Sequence, residues 1–436
     1  MKATRKSPSF TENRTWQLYQ EDALPTIIAY PWLRFLSYTR WRERDELLGT
    51  TVLSRLFSTH LGIALFIMLS FLAFILLCVQ AGSILSAPTK APVYAKYFDV
   101  QGHRGGRGEA IENTLPAFAW GLIDGVTTLE LDNGISKDGH VIVWHDEQIS
   151  ATKCNDTKPA FKNDLDFPYV GKYIANLTLA QIKTLDCGSK RLNDFPLQLT
   201  YPGTKLSTLN ELFDFASCAD PKHDLLWNIE SKINPVQPNI TRSVDDFVEN
   251  QHAAFLASGY PRSQITYQSF DWRSIIRMKA KDPQIPTSAL ISYDNIYNAD
   301  NSTNRAWFAG INIDDFPGAT LGERIAEAAK TTGADVLSPS AVSLTSKSVD
   351  PALDGYVPFT TKEMISRAHE LGMTVRPWTV DRHNIAEQLL EWKADGIISD
   401  YPHLVRNLVQ QKGFRVAPKI SKSKVLECLN KHLKKQ

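Results

Sequence analysis

From about Tyr97 to Pro402, short apolar runs take turns with helical stretches, and that alternation leaves the chain few folds to choose from. "YFDVQG" leads into "ENTLPAFAWGLIDG", "DLLWNI" into "SVDDFVENQHAAFLASG", and "QITYQSF" into "DWRSIIRMKAK". After "PTSALI" come "LGERIAEAAKTTG" before "ADVLSPS", "TKEMISRAHELG" before "MTVRPWTV", and "NIAEQLLEWKADG" before "IISDYP". Strands alternating with helices build a mostly parallel sheet, because each helical crossover returns the chain in the same direction. Over about 250 residues or more, such alternation favours a (β/α)8 TIM barrel over a doubly wound sheet. The glycine-rich fingerprint and the P-loop that would favour the second are both missing from the sequence. The expected fold class is therefore α/β, a (β/α)8 barrel. Nine runs read as strands, one too many for a simple barrel.

A hairpin supplies the excess. The stretch "LELDNGISKDGHVIVWHD", Leu129 to Asp146, has an Asp-Gly dipeptide between two strand-like runs, a strong signal for a two-residue turn. With Asp138 and Gly139 as the loop, Lys137 faces His140 and Asp132 faces His145. Opposed side chains share a face, and Glu130 lies two residues from Asp132 on the same strand. Two carboxylates and an imidazole then converge on one patch.

In a barrel, the C-terminal ends of the strands line the active-site mouth. His103, Glu130, Asp132, His145, Glu230 and Trp378 all lie near such ends. After the first strand, Asn113 or Thr114 can cap a helix, Pro116 suits its first turn, and Gly125 suits its exit. Residues 148–211 are long, polar and turn-rich, so they read as an insertion after the hairpin, forming a lid or small subdomain over the mouth. "NLTLAQIKTL" within it reads as a short helix.

With 48 basic and 47 acidic residues in 436, the chain has no global positive field, which sets nucleic acid aside. Leu61 to Val79 carries nineteen residues without a charge, long enough for a bilayer span rather than a signal-peptide core. Arg40, Arg42, Arg44 and Arg55 precede it, so the positive-inside rule leaves the N-terminus in the cytosol. The expected plan is a cytosolic tail (1–60), a transmembrane helix (61–82), a linker (83–96), a barrel domain (97–410) and a basic C-terminal tail (411–436), whose end from Lys419 to Gln436 reads as a solvated tail in preference to an amphipathic helix. The chain then reads as a single-pass type II membrane protein with a lumenal or extracellular barrel. Sequons at Asn155, Asn176, Asn239 and Asn301 fit that placement. Cys154, Cys187, Cys218 and Cys428 can pair or remain buried thiols, and the sequence leaves their connectivity open.

Six motifs together resemble the glycerophosphodiester phosphodiesterase family: "HRGG" at 103–106, "ENTLPAF" at 112–118, "LELD" at 129–132, "KDGHVIVWHD" at 137–146, "NIESK" at 228–232 and "DGIISDYP" at 395–402. The resemblance implies a barrel hydrolase that cuts glycerophosphodiesters into glycerol 3-phosphate and an alcohol with one divalent cation. By position it implies that His103 and His145 are the acid/base pair and that Glu130, Asp132 and Glu230 hold the metal. Arg104 and Lys232 match groups that contact the phosphate. Ile111, Asn133, Ser399 and Ser207 depart from the family's usual residues, and none of them is a proposed catalytic group.

The chemistry asks for these residue types independently. Hydrolysis of a phosphodiester must neutralise its oxygens, deprotonate a nucleophile and protonate the departing alkoxide. Carboxylates are hard ligands suited to Ca²⁺ or Mg²⁺. Each assignment has a plainer rival: Arg104 and Lys232 as salt-bridge partners, Trp378 as barrel packing rather than pocket lining; Glu112 reads as a group that fixes the helix start or a neighbouring side chain rather than as a metal ligand. Rival functions are a lysophospholipase D or phospholipase C type activity on membrane lipids and a non-catalytic phosphate head-group receptor.

Overall fold

The computed structural model describes residues 96–436, apart from 299, 301 and 346. Eight parallel strands run β1 (Asp99–Gly102), β2 (Thr128–Ile135), β4 (Leu226–Ser231), β5 (Ile265–Ser269), β6 (Thr287–Ile291), β7 (Val336–Pro339), β8 (Thr374–Val375) and β9 (Gly396–Ser399). Their order across the sheet is β8-β7-β6-β5-β4-β2-β1-β9. The two outer strands are joined by main-chain bonds from Asp395 N to Val375 O (2.9 Å), Ile398 N to Pro377 O (3.1 Å) and Val380 N to Ile398 O (2.9 Å). Those bonds close the sheet into the expected barrel. The ninth strand, β3 (Val141–Val143), lies off this path and pairs antiparallel with β2.

The hairpin register differs from the sequence reading by one residue. Asn133 pairs with Val143 and Ile135 with Val141, so Trp144 rather than His145 stands opposite Asp132. Its loop has three residues, Lys137, Asp138 and Gly139, closed by Ser136 N donating to His140 O at 2.9 Å. Gly139 has φ +85° while Asp138 does not have a positive φ, so the two-residue turn with two positive φ angles is not formed. His145 still reaches the interior because β3 ends at Val143 and the chain bends inward after it.

Helices cover the barrel through two large apolar clusters, centred on residues such as Trp272, Leu337 and Val375 on one side and Phe118, Trp227 and Phe255 on the other. Helix Leu115–Asp124 begins as its sequence requires: Thr114 caps it, Pro116 sits in the first turn, and Gly125 exits at φ +82°. Inside the barrel, Asp99 meets Arg376 at 2.7 Å, bonds Thr128 at 2.6 Å and accepts from Gln101 at 2.7 Å. This polar layer fills the barrel below the carboxylates.

The insertion has its own core of Ile149, Tyr169, Leu177, Ile182, Leu185 and neighbours, and a disulfide joins Cys154 to Cys187 within it. Its short helix, Leu179–Ile182, carries a capping box between Thr178 and Gln181. A second disulfide joins Cys218 to Cys428.

Two expectations are corrected. The C-terminal segment read as a solvated basic tail contains a helix, Lys422–Leu433, with Val425, Cys428 and Leu429 fully buried. Their i, i+3, i+4 spacing makes an apolar stripe that the surrounding lysines disguise in the composition. The single-pass membrane reading is also overturned: among the described residues no helix is long and apolar enough to cross a membrane. The tail, span and most of the linker expected over residues 1–95 lie outside the described residues.

Candidate active site

Strand register assembles the acids. Glu130 and Asp132 are two apart on β2 and so share a face; Asp132 pairs with Glu230 on β4, and Glu230 pairs with Gln268 on β5. The result is a row across three strands, aimed into the barrel. Oxygen atoms of Glu130, Asp132 and Glu230 all lie within 4.8 Å of one another, and all three residues are buried. Such a group of carboxylates repels itself unless a cation sits among it.

The surrounding bonds divide the three into unlike partners. Glu130 accepts from Arg104 N and from Gln268 Nε2, both at 2.8 Å. Asp132 accepts from Asn113 Nδ2 at 2.8 Å and has Arg104 Nε at 3.2 Å. Glu230 has Lys232 Nζ at 2.8 Å. Burial and then the Asp132 charge hold Glu130 well above the usual carboxylate range. Burial also pushes Glu230 up, with Lys232 pulling it back and Asp132 pushing further, to about 7. At Asp132 burial is outweighed by Arg104, His145 and Lys232, which hold it well below the ordinary range.

The donor set fits a hard divalent ion. Three carboxylates offer oxygens without thiol or imidazole, and Gln268 Oε1, buried beside Glu130, has no hydrogen-bond partner among the described residues. Acids held partly protonated for want of positive charge are what an ion there would ionise.

Two histidines flank the row. His103 follows β1 directly and meets Asp400 Oδ1 through Nδ1 at 2.5 Å; Asp400 also accepts from Arg107 Nε at 2.8 Å. His145 meets Asp146 Oδ1 through Nδ1 at 2.7 Å, and Asp146 is held by Lys153 Nζ at 2.8 Å. In each case the carboxylate fixes the tautomer and leaves Nε2 for proton exchange. Burial, then the Lys232 and Arg104 charges, depress His145 to about 4. Burial lowers His103 as well, against the opposing pull of Asp400.

The turn that carries His103 is strained to shape. Arg104 has φ +51°, and Gly105 and Gly106 follow at +90° and +126°. A Cβ on Gly105 would lie 2.7 Å from Phe118 N, and one on Gly121 would lie 2.1 Å from Gly105 O. The "HRGG" turn thus rests directly on the backbone of helix Leu115–Asp124, which explains the paired glycines. It places Arg104 N against Glu130 and the guanidinium between Asp132 and Glu112.

These groups meet in one cavity of about 100 Å³ lined by His103, Arg104, Glu130, His145, Glu230, Lys232 and Gln268, with Phe270 and Trp378 on an apolar side. Trp378 is therefore pocket lining; it packs edge-on to Phe270 at 5.4 Å and donates to Ser338 O at 2.9 Å. Asp132 sits just behind the lining. Every residue picked out from the sequence is brought together here. Asp400, Arg107, Gln268, Asn113 and Lys153 were not picked out, although Asp400 and Asn113 sit inside the quoted motifs.

The model of the glycerophosphoryl diester phosphodiesterase family matches residues 103–404. The chain belongs to that family. A glycerophosphodiester phosphodiesterase of Caldanaerobacter subterraneus is 24% identical over 312 residues, 71% of this chain and 97% of that one. One from Bacillus subtilis is 25% identical over 315 residues, 72% and 86% of the two chains. A crystal structure of a Silicibacter pomeroyi protein assigned to the glycerophosphoryl diester phosphodiesterases superposes with a TM-score of 0.57. It is 24% identical and covers 74% of this chain and 96% of that one, a likeness of fold. As a member of this family the chain is a phosphoric diester hydrolase acting on glycerophosphodiesters, small molecules whose charged phosphate suits a cavity of cations and carboxylates.

Proposed function

We propose that the chain hydrolyses glycerophosphodiesters to glycerol 3-phosphate and an alcohol, with His103 and His145 exchanging protons beside a divalent cation, Ca²⁺ or Mg²⁺, held by Glu130, Asp132 and Glu230. The observation that carries this reading is the pairing of two histidines, each bonded through Nδ1 to its own carboxylate, around the three-carboxylate row. A binding module has no use for two oriented imidazoles.

His145, depressed to about 4, is neutral at pH 7 and suited to take the proton of the nucleophile at Nε2. His103, bonded through Nδ1 to Asp400, is placed to give a proton to the departing alkoxide from its protonated form, which the Asp400 charge favours against the burial that lowers it. The bound cation supplies charge neutralisation for the phosphoryl oxygens. Arg104 and Lys232, the cations beside these carboxylates, would contact the phosphate if an ion took up the carboxylate charge. Phe270 and Trp378 offer an apolar wall for the carbon skeleton. Pockets for drug-sized ligands run to about 300–1,000 Å³, so a cavity near 100 Å³ favours the compact glycerophosphoryl group over a lipid tail.

The test is release of glycerol 3-phosphate from several glycerophosphodiesters, before and after chelation and with Ca²⁺ or Mg²⁺ restored. His145→Ala and Glu130→Ala should each abolish it with the fold intact. Turnover like the wild type by both folded variants would remove the proposed site. Release of choline from lysophosphatidylcholine, with none from water-soluble diesters, would transfer the assignment to a lysophospholipase D activity.

A further inference from the structure

Lys153 belongs to the insertion, yet its side chain is only 11% exposed and ends among groups of the barrel. Its Nζ lies 2.7 Å from Glu112 Oε1 and 2.8 Å from Asp146 Oδ2, with the Trp144 ring 5.3 Å away. Asp146 bonds His145, and Glu112 bonds Arg104 Nη1 at 2.9 Å. From His145 on one side of the cavity, a chain of alternating charge, Asp146, Lys153, Glu112 and Arg104, therefore runs to the other. Burial pushes Glu112 up, but Arg104 and Lys153 bring it down to about 2, so it stays ionised.

The link between His145 and Asp146 needs such support. They are neighbours in sequence, and Asp146 is 29% exposed, so water competes for its carboxylate. Lys153 removes that competition by holding both oxygens, donating to Oδ1 at 2.9 Å and lying 2.8 Å from Oδ2. Its own backbone is anchored: Lys153 N and Cys154 N both donate to Ser150 O, Cys154 is bonded to Cys187, and Asn155 and Asp186 exchange main-chain bonds of 2.8 and 3.0 Å.

The same insertion grips the other histidine. Leu199 N donates to Glu109 O at 2.6 Å, Gln198 Nε2 to Arg107 O at 2.6 Å, and the Phe195 ring lies 4.6 Å from the Arg107 guanidinium. Arg107 holds Asp400, which holds His103. Both imidazoles are reached by one pattern, a cation contacting or supplied by the insertion, then a carboxylate, then Nδ1.

We propose that the disulfide-bonded insertion orients the catalytic histidines, and that Lys153 is the positioning residue through which it fixes His145. This rests on the proton-transfer role given to His145 above. Lys153 touches no substrate; it acts by keeping Asp146 on Nδ1, so that Nε2 always faces the cavity as the acceptor.

The test uses the full chain with Lys153→Met, Lys153→Arg, Asp146→Asn, the Lys153→Met/Asp146→Asn double variant and His145→Ala. Lys153→Met should lower kcat about tenfold or more, with KM for a glycerophosphodiester and Ca²⁺ affinity near wild type. Lys153→Arg should recover most of that loss. Asp146→Asn covers the case in which Lys153→Met does not fold, and the double variant should lose no more than the larger single one, since both break one chain. In ¹⁵N spectra of Lys153→Met, His145 should show a mixture of tautomers where the wild type shows one. Unchanged kcat in folded Lys153→Met, with His145→Ala inactive, overturns the inference and leaves the proposed function standing. Equal losses in the Met and Arg variants that track a falling Tm reduce Lys153 to a structural role. An active His145→Ala removes the reading on which the inference rests.

Discussion

Cation binding at Glu130, Asp132 and Glu230 should expel protons, in an amount that the site geometry sets. Burial and Asp132 raise Glu230, against Lys232, to about 7. At pH 7 about half the metal-free molecules therefore carry a proton that must leave before the carboxylate can ligate. If only the ionised form binds, the competent fraction falls from about one half at pH 7 to about one in a hundred at pH 5, and apparent affinity falls about fifty-fold. Glu130, raised chiefly by burial, steepens that dependence. Asp132 adds nothing to it, because Arg104, His145 and Lys232 overcome its burial and keep it ionised. Titrating Ca²⁺ into the metal-free chain by calorimetry, in two buffers of unlike ionisation enthalpy, counts the protons directly. At least about half a proton per ion is expected at pH 7, rising towards pH 6. Affinity that stays flat from pH 8 to pH 5, with no buffer-dependent heat, would refute the placement of the cation on these carboxylates.

Three further outcomes follow from the geometry. Asp400→Asn weakens a bond to His103 of the charge-assisted kind, worth about 1.5–3 kcal/mol, so kcat should drop about 10–100-fold with KM little changed; steady-state kinetics showing a pure KM effect would contradict it. Gly121→Ala drives a methyl to 2.1 Å from Gly105 O, so it should displace the "HRGG" turn and abolish turnover together with a lowered Tm; an active, stable variant would mean that the turn and helix separate freely. Leu429→Ala should cost about 2–5 kcal/mol in urea unfolding with kcat intact, and a cost under about 1 kcal/mol would show that the C-terminal helix is only loosely seated.

Much of the fold is legible because strand and helix periods differ: nine strand-like runs can be counted in the sequence, and the hairpin accounts for the one in excess of a barrel. The hairpin was legible too, but its register was not. Asp138-Gly139 fills two positions of a three-residue loop, and only the bonds of Ser136 and the φ of Gly139 distinguish that loop from a tighter one. Glu130, Asp132 and Glu230 were found by motif, and the parallel pairing of Asp132 with Glu230 supplies the physical reason they meet. Asp400 lies 297 residues from His103, and Lys153 comes from a segment with no periodic signal, so their roles exist only in the tertiary structure. The C-terminal helix did carry a signal, the Val425, Cys428, Leu429 spacing, which the basic composition of the segment obscured.

The bond from Cys218 to Cys428 turns most of this domain into a lasso. The closed loop contains β4 to β9, six of the eight parallel strands. A machine that unravels proteins by pulling on the chain beyond Cys428 would thus meet a covalent crosslink at that residue, and would have to swallow two strands of chain abreast. A single cut in the loop after β7, where Val349 and Leu353 stand exposed, would open the lasso without releasing a fragment. The nicked molecule would keep its full mass, save for one added water, until a thiol reductant let the halves go.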